Sequence, residues 1–258
     1  MIVDCTMFHW EFDLLEIRMK ELWDVVDYFY VTESVCDHRG NDRDLILSKN
    51  IDKFDWAKEK LVVVVSDKPK DAITSWDYEK YQRLNSVKAC ETIVKENDLI
   101  LISDIDEIMN AESVLKADKI GGIFTMKMPM FYYYMNLYVE DWNYPKAITY
   151  KYLEDPNLLR SRDPSRTAVI ENSGWHFSYL GTPDQISYKI KTFAHDEYDK
   201  KDFTDVDKII ESIYNKEDIF KRSTKKFVVK SLDDLPKYVL NNIEKYNHFI
   251  LRSKNEQP

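Results

Sequence analysis

The sequence predicts an α/β fold in which helices cover a Rossmann-like, mostly parallel central sheet, with a helical extension at the C-terminus. Two observations lead to this fold class. Segments with strand-like and helical periodicity alternate in the order β-α-β-β-α-β over the first 103 residues. The strand-like segments are also nearly continuous apolar runs, such as LVVVVS at Leu61–Ser66, which is typical of strands buried on both faces of a parallel sheet. A single domain over residues 1–258 is long enough to bury such a core without disulfides.

The chain begins with a strand, a helix and a second strand. Ile2–Phe8 is a short apolar run and predicts the first strand. Residues 11–23 predict an amphipathic helix, because their apolar side chains recur mostly at helical spacing. Residues 25–32 are rich in valine, tyrosine and phenylalanine, which favours the second strand.

The third strand, a long helix and a fourth strand complete the first half. Leu61–Ser66 is the β-branched run quoted above, and residues 98–103 are another apolar run that predicts a buried strand. Between them, residues 76–96 predict a helix whose core-facing side chains are Tyr81, Leu84, Val87 and Ala89.

The second half has a different character. Residues 121–138 are aromatic and rich in strand-forming residues, with FYYYMNLY at their centre. Residues 174–180 predict a further strand, and from Pro183 onward the chain is helical and highly charged. Most of that charge is expected to lie on solvated helix faces.

Composition excludes several classes of protein. The formal net charge of -9 argues against a nucleic-acid partner. The chain has five glycines and no GxGxxG or GxxxxGK pattern, so a glycine-rich phosphate loop is not expected. Its three cysteines, Cys5, Cys36 and Cys90, form no CxxC pair, which indicates reduced thiols rather than a zinc site. The N-terminus MIVDCTMFHW has no long apolar run, so we expect neither a signal peptide nor a transmembrane segment, and a cytoplasmic protein.

Three acids follow the fourth predicted strand in the stretch DLILISDIDEIMN. They are Asp104, Asp106 and Glu107. Residues two apart on an extended chain point to the same side, so Asp104 and Asp106 are predicted to converge on one hard cation, Mn²⁺ or Mg²⁺, which can bridge to substrate phosphates. The alternative is a solvated strand end followed by a helix cap.

Other polar or charged residues lie near the same predicted sheet edge. Ligands of open α/β sheets bind beyond the carboxyl ends of the strands, which here fall near Phe8 and at Glu33. An acid there can accept hydrogen bonds from a base or a ribose. Arg83 can contact a diphosphate or pair with a nearby acid. His176, in SGWHFSYLGTP, is either a packed core histidine or a ligand.

These motifs, taken in order, resemble glycosyltransferase family 17. The matching stretches are FDLLEIRMKEL followed by VVDYFYVTES, then SDIDEI, GWHFSYLGTPDQISYKIKT and LPKYVLNN. The resemblance implies a GT-A type fold, with a nucleotide-sugar-binding half over residues 1–120 and an acceptor half with the helical region over residues 121–258. It also implies a UDP-N-acetylglucosamine donor, a glycan acceptor, a divalent metal and inversion at the anomeric carbon. Known members carry a membrane anchor and a stem, and their lack here fits a cytoplasmic enzyme that builds a bacterial or viral glycan.

Carried over by position, the resemblance assigns roles to particular residues. Asp104 and Asp106 match the family's Asp-x-Asp motif, and His176 matches the histidine of its Gly-Trp-His motif and is expected to complete the metal site. Glu33 matches the acid that ends the second strand. Phe8, Glu33, Arg83 and Asp104 are therefore the predicted donor-binding residues.

An inverting transfer needs one general base on the acceptor side. The candidates are Asp141, Glu171, Asp196 and Glu197, of which Glu197 is favoured and Asp141 is second. The same acids also suit a Mg²⁺-dependent nucleotidyltransferase or phosphohydrolase, or a non-catalytic protein that binds nucleotides or glycans.

Overall fold

The computed structural model describes residues 1–222 and 224–252. Within these residues the strands are β1 (Ile2–Phe8), β2 (Tyr28–Ser34), β3 (Leu61–Ser66), β4 (Leu99–Ile102), β5 (Glu107–Met109), β6 (Ile123–Met126), β7 (Met128–Tyr132), β8 (Leu137–Trp142), β9 (Lys146–Thr149), β10 (Ala168–Ile170), β11 (Gly174–Ser178) and β12 (Val228–Val229). The helices are α1 (Phe12–Leu22), α2 (Ile46–Lys49), α3 (Ser75–Cys90), α4 (Ala111–Ile120), α5 (Pro156–Ser161), α6 (Pro183–Thr192), α7 (Lys201–Thr204), α8 (Val206–Asn215), α9 (Lys237–Asn241) and α10 (Ile243–Tyr246).

The larger sheet is mostly parallel, as the sequence predicts. Its strand order is β10-β6-β9-β4-β1-β2-β3. Strands β3, β2, β1 and β4 run parallel to one another, and β9 is antiparallel to both of its neighbours. The carboxyl ends of β1 and β4 therefore meet at one edge, since Cys5 of β1 pairs with Ile102 of β4.

A second sheet has the strand order β12-β8-β7-β11-β5. In it β11 is parallel to β7 and antiparallel to β5. Because β5 follows β4 directly in the chain, residues 103–106 form the crossing from the first sheet to the second. His176 of β11 is paired with Glu107 of β5, so this register fixes the histidine beside the crossing.

Helix α1 packs one face into the core of the first sheet. Leu14, Arg18 and Leu22 follow one another at a spacing of four residues and are all buried. An arginine on that face needs buried partners, because a fully buried charge is costly unless it is paired. Those partners lie at the candidate active site.

Helix α6 packs against the second sheet. Pro183 occupies its first turn, and Thr182 forms a capping box with Gln185, which defines where the helix begins. Ile186 and Ile190 are buried in the same apolar cluster as Met130 of β7. This packing directs the neighbouring Lys189 toward the crossing between the sheets.

Two predictions about the first half are wrong in detail. Leu61–Ser66 is a strand as predicted, but β3 is the last strand of its sheet, and Val65 is 49% exposed rather than buried. The long helix ends at Cys90 instead of residue 96, because the following residues turn back through the side chain of Asp98, which accepts the N–H of Lys95. The buried face of α3 consists of Gln82, Arg83, Ser86, Val87 and Cys90.

The division at residue 120 does not separate the two sheets. Strand β5, from the first half, lies in the second sheet, whereas β6, β9 and β10, from the second half, lie in the first sheet. The C-terminal region is helical as predicted, although β12 interrupts it. Residue 223 and residues 253–258, which the single-domain prediction also covers, lie outside the described residues. Among the described helices, none combines the length and hydropathy that a membrane span needs.

Candidate active site

A cavity of about 390 Å³ opens where the two sheets meet. The end of β1 contributes His9 and Trp10, and the crossing after β4 contributes Asp104 and Asp106. Strands β7, β8 and β11 and helix α6 complete the wall. This is the edge at which open α/β sheets bind their ligands.

The backbone of the crossing is held by Arg18 of α1. This fully buried guanidinium donates two hydrogen bonds to Asp4 of β1, both at 2.6 Å. It also donates to the carbonyl oxygens of Asp104 at 2.9 Å and Glu107 at 3.0 Å. Removing Arg18 would leave buried acceptors and the Asp4 carboxylate unpaired, so this residue positions the acids.

The carboxylate of Asp104 lies between two guanidinium groups. Arg83 of α3 donates to it at 3.1 Å, and Arg160 of α5 donates at 2.5 Å. Burial opposes ionisation, but Arg160 and Arg83 outweigh it and lower the pKa of Asp104. Asp104 is therefore an anion held between two guanidinium groups.

Asp106 faces a different pair of partners. Its Oδ2 accepts a hydrogen bond from Lys189 at 2.7 Å, and its Oδ1 lies 3.6 Å from Nε2 of His176. Although burial disfavours the charge, Lys189 and then His176 hold the pKa of Asp106 well below the usual carboxyl range. The two acids of the Asp-x-Asp pair thus line one cavity but are neutralised separately.

Glu107, the third acid, is a structural brace. Its side chain is buried and accepts two hydrogen bonds from Arg160, at 2.5 and 2.6 Å, and one from the indole of Trp142 at 2.5 Å. It also accepts the backbone N–H of Asp104 at 2.7 Å. Glu107 therefore fixes Arg160 and the start of the crossing.

The cavity contains side chains that could bind a metal ion, but they do not form a complete set of metal ligands by themselves. Within residues 1–222 and 224–252, no three His, Cys, Asp or Glu side chains converge as metal ligands. Asp106 Oδ1 and His176 Nε2 nevertheless face each other, and neither bonds to a third group in this part of the chain. Divalent ions that bind substrate phosphates commonly take one or two protein ligands, so Asp106 and His176 fit that role. Asp104 would join them only by releasing an arginine.

The surroundings of His176 are compatible with both alternatives that its sequence context left open. Its ring packs 4.6 Å from the ring of Trp142, as a core histidine would. Its Nε2 also faces Asp106, while Nδ1 is buried without a hydrogen-bond partner among the described residues.

Three cations reach the cavity: Arg160, Lys189 and Arg222. Although burial opposes the charged form of each, nearby acids raise the pKa of all three: Asp104 that of Arg160, Asp106 that of Lys189 and Asp218 that of Arg222. Arg222 is held by Asp218 and donates to the hydroxyl of Tyr132 at 2.9 Å. Permanent positive charge in a cavity of this size suits a diphosphate.

Two histidine arrangements also line the cavity. His9 and His38 face each other through their Nε2 atoms at 3.2 Å, and burial lowers the pKa of both. His195 lies on another wall, and its Nδ1 is 2.7 Å from the carboxylate of Glu197. When Nδ1 carries the proton, Nε2 of His195 is left with a lone pair that can accept another.

Three of the four predicted donor-binding residues do not line the cavity. Glu33 is fully buried and accepts the backbone N–H groups of Leu47 and Ser48 at 2.6 and 2.9 Å, so its carboxylate caps α2. Phe8 is buried in the core against Phe12, and Met7 and His9 border the cavity instead. Arg83 reaches the site through Asp104 and does not line the cavity itself.

The predicted general bases also need correction. Asp141 points away from the cavity and pairs with Lys127 at 3.0 Å, because successive side chains of β8 face opposite sides; Glu140 lines the cavity in its place. Glu171 is an exposed partner of the same lysine, and Asp196 is an exposed acceptor for Ser75. Glu197 lies one hydrogen bond behind the wall, and it is His195 that faces the cavity.

Sequence reasoning missed Arg160, Lys189, Arg222 and Glu140. Arg160 and Lys189 lie in charged helical stretches and resemble solvated residues. For Glu140, the period-two pattern of LYVEDW indicates that it and Asp141 face opposite sides. Only the order of the strands decides which side is the cavity.

Known proteins give three points of comparison. The solved structure of the inositol-1-phosphate CTP transferase from T. maritima aligns over 97% of this chain and 98% of its own length. The TM-score is 0.36 and the sequence identity is 12%, which is too low to indicate a shared function. The chain is 22% identical over 303 residues to the β-1,4-mannosyl-glycoprotein 4-β-N-acetylglucosaminyltransferase of Homo sapiens, covering 100% of this chain and 56% of that relative. The enzyme of the same name from Rattus norvegicus is 22% identical over 295 residues, covering 96% of this chain and 54% of its own length.

This chain therefore spans little more than half the length of these relatives. The family model described as Glycosyltransferase family 17 matches residues 1–254, almost the whole of this chain. The chain belongs to glycosyltransferase family 17.

Proposed function

We propose that this protein is a metal-dependent, inverting glycosyltransferase with a GT-A type fold, which moves N-acetylglucosamine from UDP-N-acetylglucosamine to a glycan acceptor. The observation that carries the proposal is one cavity at the carboxyl ends of β1 and β4 that holds both the Asp-x-Asp acids and three cations. Family membership and the names of the relatives support the transferred sugar.

The cations are the proposed receptors for the donor's diphosphate. Arg160 and Arg222 present planar guanidinium groups, which match phosphate oxygens through paired hydrogen bonds. Lys189 adds a compact charge beside Asp106. Binding a diphosphate would draw these side chains partly from their carboxylate partners and so expose Asp106 to a cation.

Asp106 and His176 are the proposed protein ligands of Mn²⁺ or Mg²⁺, because their unshared atoms face each other at 3.6 Å. A bound divalent ion would neutralise charge that develops on the leaving diphosphate. Asp104, held by Arg83 and Arg160, orients those two arginines.

The proposed proton acceptor is His195, positioned by Glu197. An inverting displacement needs one base to take the proton of the attacking acceptor hydroxyl. The Glu197 carboxylate fixes the imidazole so that Nε2 is available as that base. Glu140 also lines the cavity, but its carboxylate is already engaged in an ion pair with Lys225.

The test is a donor screen by UDP release, with Mn²⁺ or with EDTA, over UDP-N-acetylglucosamine, UDP-glucose and UDP-galactose. We expect release from UDP-N-acetylglucosamine with Mn²⁺ and little with EDTA. Asp106→Asn should weaken Mn²⁺-dependent UDP binding in calorimetry at least tenfold. Asp118→Asn, which changes an exposed acid of α4, is the matched control and should bind like the wild type.

Other products would overturn the proposal. Sugar 1-phosphate or free phosphate instead of UDP would indicate a nucleotidyltransferase or phosphohydrolase. UDP binding without turnover on any glycan would indicate a non-catalytic binding protein, and an α-linked product would exclude inversion from the α-linked donor.

A cytoplasmic location is part of the same proposal. Cys5, Cys36 and Cys90 are all buried free thiols, as expected in a reducing compartment. Cell fractionation tests it, and recovery of the protein in an oxidising compartment would contradict it.

A further inference from the structure

A second cavity, of about 710 Å³, adjoins the candidate active site. The two cavities share Trp10 and Glu11, which belong to the segment between β1 and α1. We call the second cavity the Trp10 groove, and its defining residues are Trp10, Asp13, Tyr134, Gln185, Tyr214 and Phe249. It is therefore continuous with the site at which we place the donor.

One wall of the Trp10 groove is an uncovered face of α8. Ile209 and Ser212 of this helix are buried against the core of the second sheet. Ile210, Ile213 and Tyr214 lie on the groove side, where Tyr214 is 83% exposed. Neighbouring apolar side chains exposed together beside a cavity, here Ile210 and Tyr214, are typical of a surface that binds a ligand.

Polar groups in the groove have unused hydrogen-bonding capacity. The carboxylate of Asp13 makes no hydrogen bond or ion pair to any residue in the described ranges. The amide oxygen of Gln185 accepts the N–H of Thr182 at 2.8 Å, which leaves the amide NH₂ as a donor. Glu11 is already committed, because its carboxylate accepts the backbone N–H groups of His9 and Trp10.

We propose that the Trp10 groove binds a neutral oligosaccharide, the acceptor chain, whose end passes Trp10 into the candidate active site. This proposal rests on the glycosyltransferase function proposed above. Sugar rings have apolar faces that stack on aromatic side chains and hydroxyl edges that need acceptors such as Asp13 and donors such as Gln185. The acids Glu11 and Asp13 repel an anionic chain, so the occupant is neutral.

The experiment is saturation-transfer NMR of the full chain with mannotriose, chitotriose and maltotriose, and with sialyllactose as an anionic comparison. We expect saturation transfer to at least one neutral trisaccharide, and weaker or no transfer to sialyllactose. Tyr214→Ala should reduce affinity for the bound trisaccharide about five- to tenfold. Its fold should survive, because the replaced ring is almost fully exposed.

Tyr152→Ala is the matched control, since Tyr152 is an exposed tyrosine that lines neither cavity. Its trisaccharide affinity should equal that of the wild type. UDP affinity by calorimetry should be the same in the wild type, Tyr214→Ala and Tyr152→Ala. This measurement distinguishes an error in the groove proposal from an error in the proposed donor site. If the wild type does not bind UDP, the proposed function is wrong, whereas binding of a glycan in the groove would still be supported by the NMR result.

Three results would overturn the groove proposal. One is the absence of saturation transfer to all three neutral trisaccharides. Another is unchanged trisaccharide affinity in Tyr214→Ala. The third is a wild-type dimer by light scattering that Tyr214→Ala converts to a monomer, because the groove would then be covered by a second copy of the chain.

Discussion

Replacing Glu107 by glutamine tests the role of the one acid, among Asp104, Asp106 and Glu107, that we describe as structural. The substitution keeps the side chain's size and removes its charge. In the native protein the two carboxylate oxygens of Glu107 accept hydrogen bonds from Arg160 at 2.5 and 2.6 Å, and Glu107 is fully buried. In Glu107→Gln an amide NH₂ replaces one oxygen and faces Arg160 together with either the N–H of Asp104 or the indole N–H of Trp142, all of which are donors.

The expected loss of stability follows from breaking a buried ion pair on one side. Removing one partner of such a pair costs about 3–5 kcal/mol, because the other charge stays buried. Arg160 keeps Asp104 as a partner at 2.5 Å, which places the effect near the lower limit, at about 3 kcal/mol. For a domain of this size that corresponds to a fall in Tm of about 6–12 °C.

Urea unfolding and calorimetry, both without added metal or nucleotide, measure the effect. The matched control is Glu112→Gln, which changes an exposed acid in the first turn of α4 and should shift the free energy of unfolding by less than about 0.5 kcal/mol. A loss below about 1 kcal/mol in Glu107→Gln would refute the reasoning that this acid braces Arg160. An equal loss in the control would show that the effect is not specific to the buried pair.

Three further predictions concern the base, the buried lysine and the glycine of the GWH motif. Glu197→Gln should lower kcat about tenfold without changing UDP affinity, because the imidazole of His195 loses the carboxylate that orients it, and Asp141→Asn should keep the wild-type activity. A larger loss in Glu140→Gln would transfer the role of base to that acid. Burial lowers the pKa of Lys146 to about 8, whereas an unfolded lysine titrates near 10.4, so the unfolded chain binds more protons between these values. The free energy of unfolding should therefore rise with pH over that interval in the wild type relative to Lys146→Met, and parallel curves would contradict this. Gly174→Ala should destabilise the fold by about 3 kcal/mol in urea unfolding, because its φ of +153° is strained for alanine and a Cβ would lie 2.0 Å from the carbonyl oxygen of Ile108. Gly122→Ala has a similarly positive φ, but its Cβ would only touch the ring of Phe124 at 3.7 Å, an ordinary van der Waals distance, so an equal loss there would show that the close approach to β5 is unimportant.

The sequence was sufficient for the four strands and two long helices of the first 103 residues, and for the acids that follow β4. Strands β1 and β3 have the predicted bounds, because continuous runs of apolar and β-branched residues favour an extended chain, although only β1 is buried along its whole length. Asp104 and Asp106 both line the cavity, since the end of a buried strand brings polar residues to the edge of the sheet; their predicted convergence on one cation stays a prediction. These are local properties, and they are visible in a local pattern.

The partners of those acids were decided by tertiary structure alone. Arg160 and Lys189 reach Asp104 and Asp106 from 56 and 83 residues away, on helices whose sequences resemble solvated surface. Glu33 looked equivalent to Asp104 as an acid at a strand end, but the fold places the start of α2 against it and uses the charge as a cap. Whether an acid at a strand end faces a ligand or a backbone depends on which distant segment packs beside it. Hydrophobic periodicity specifies which side of a helix or strand is buried, but it does not specify which distant segment packs against that side.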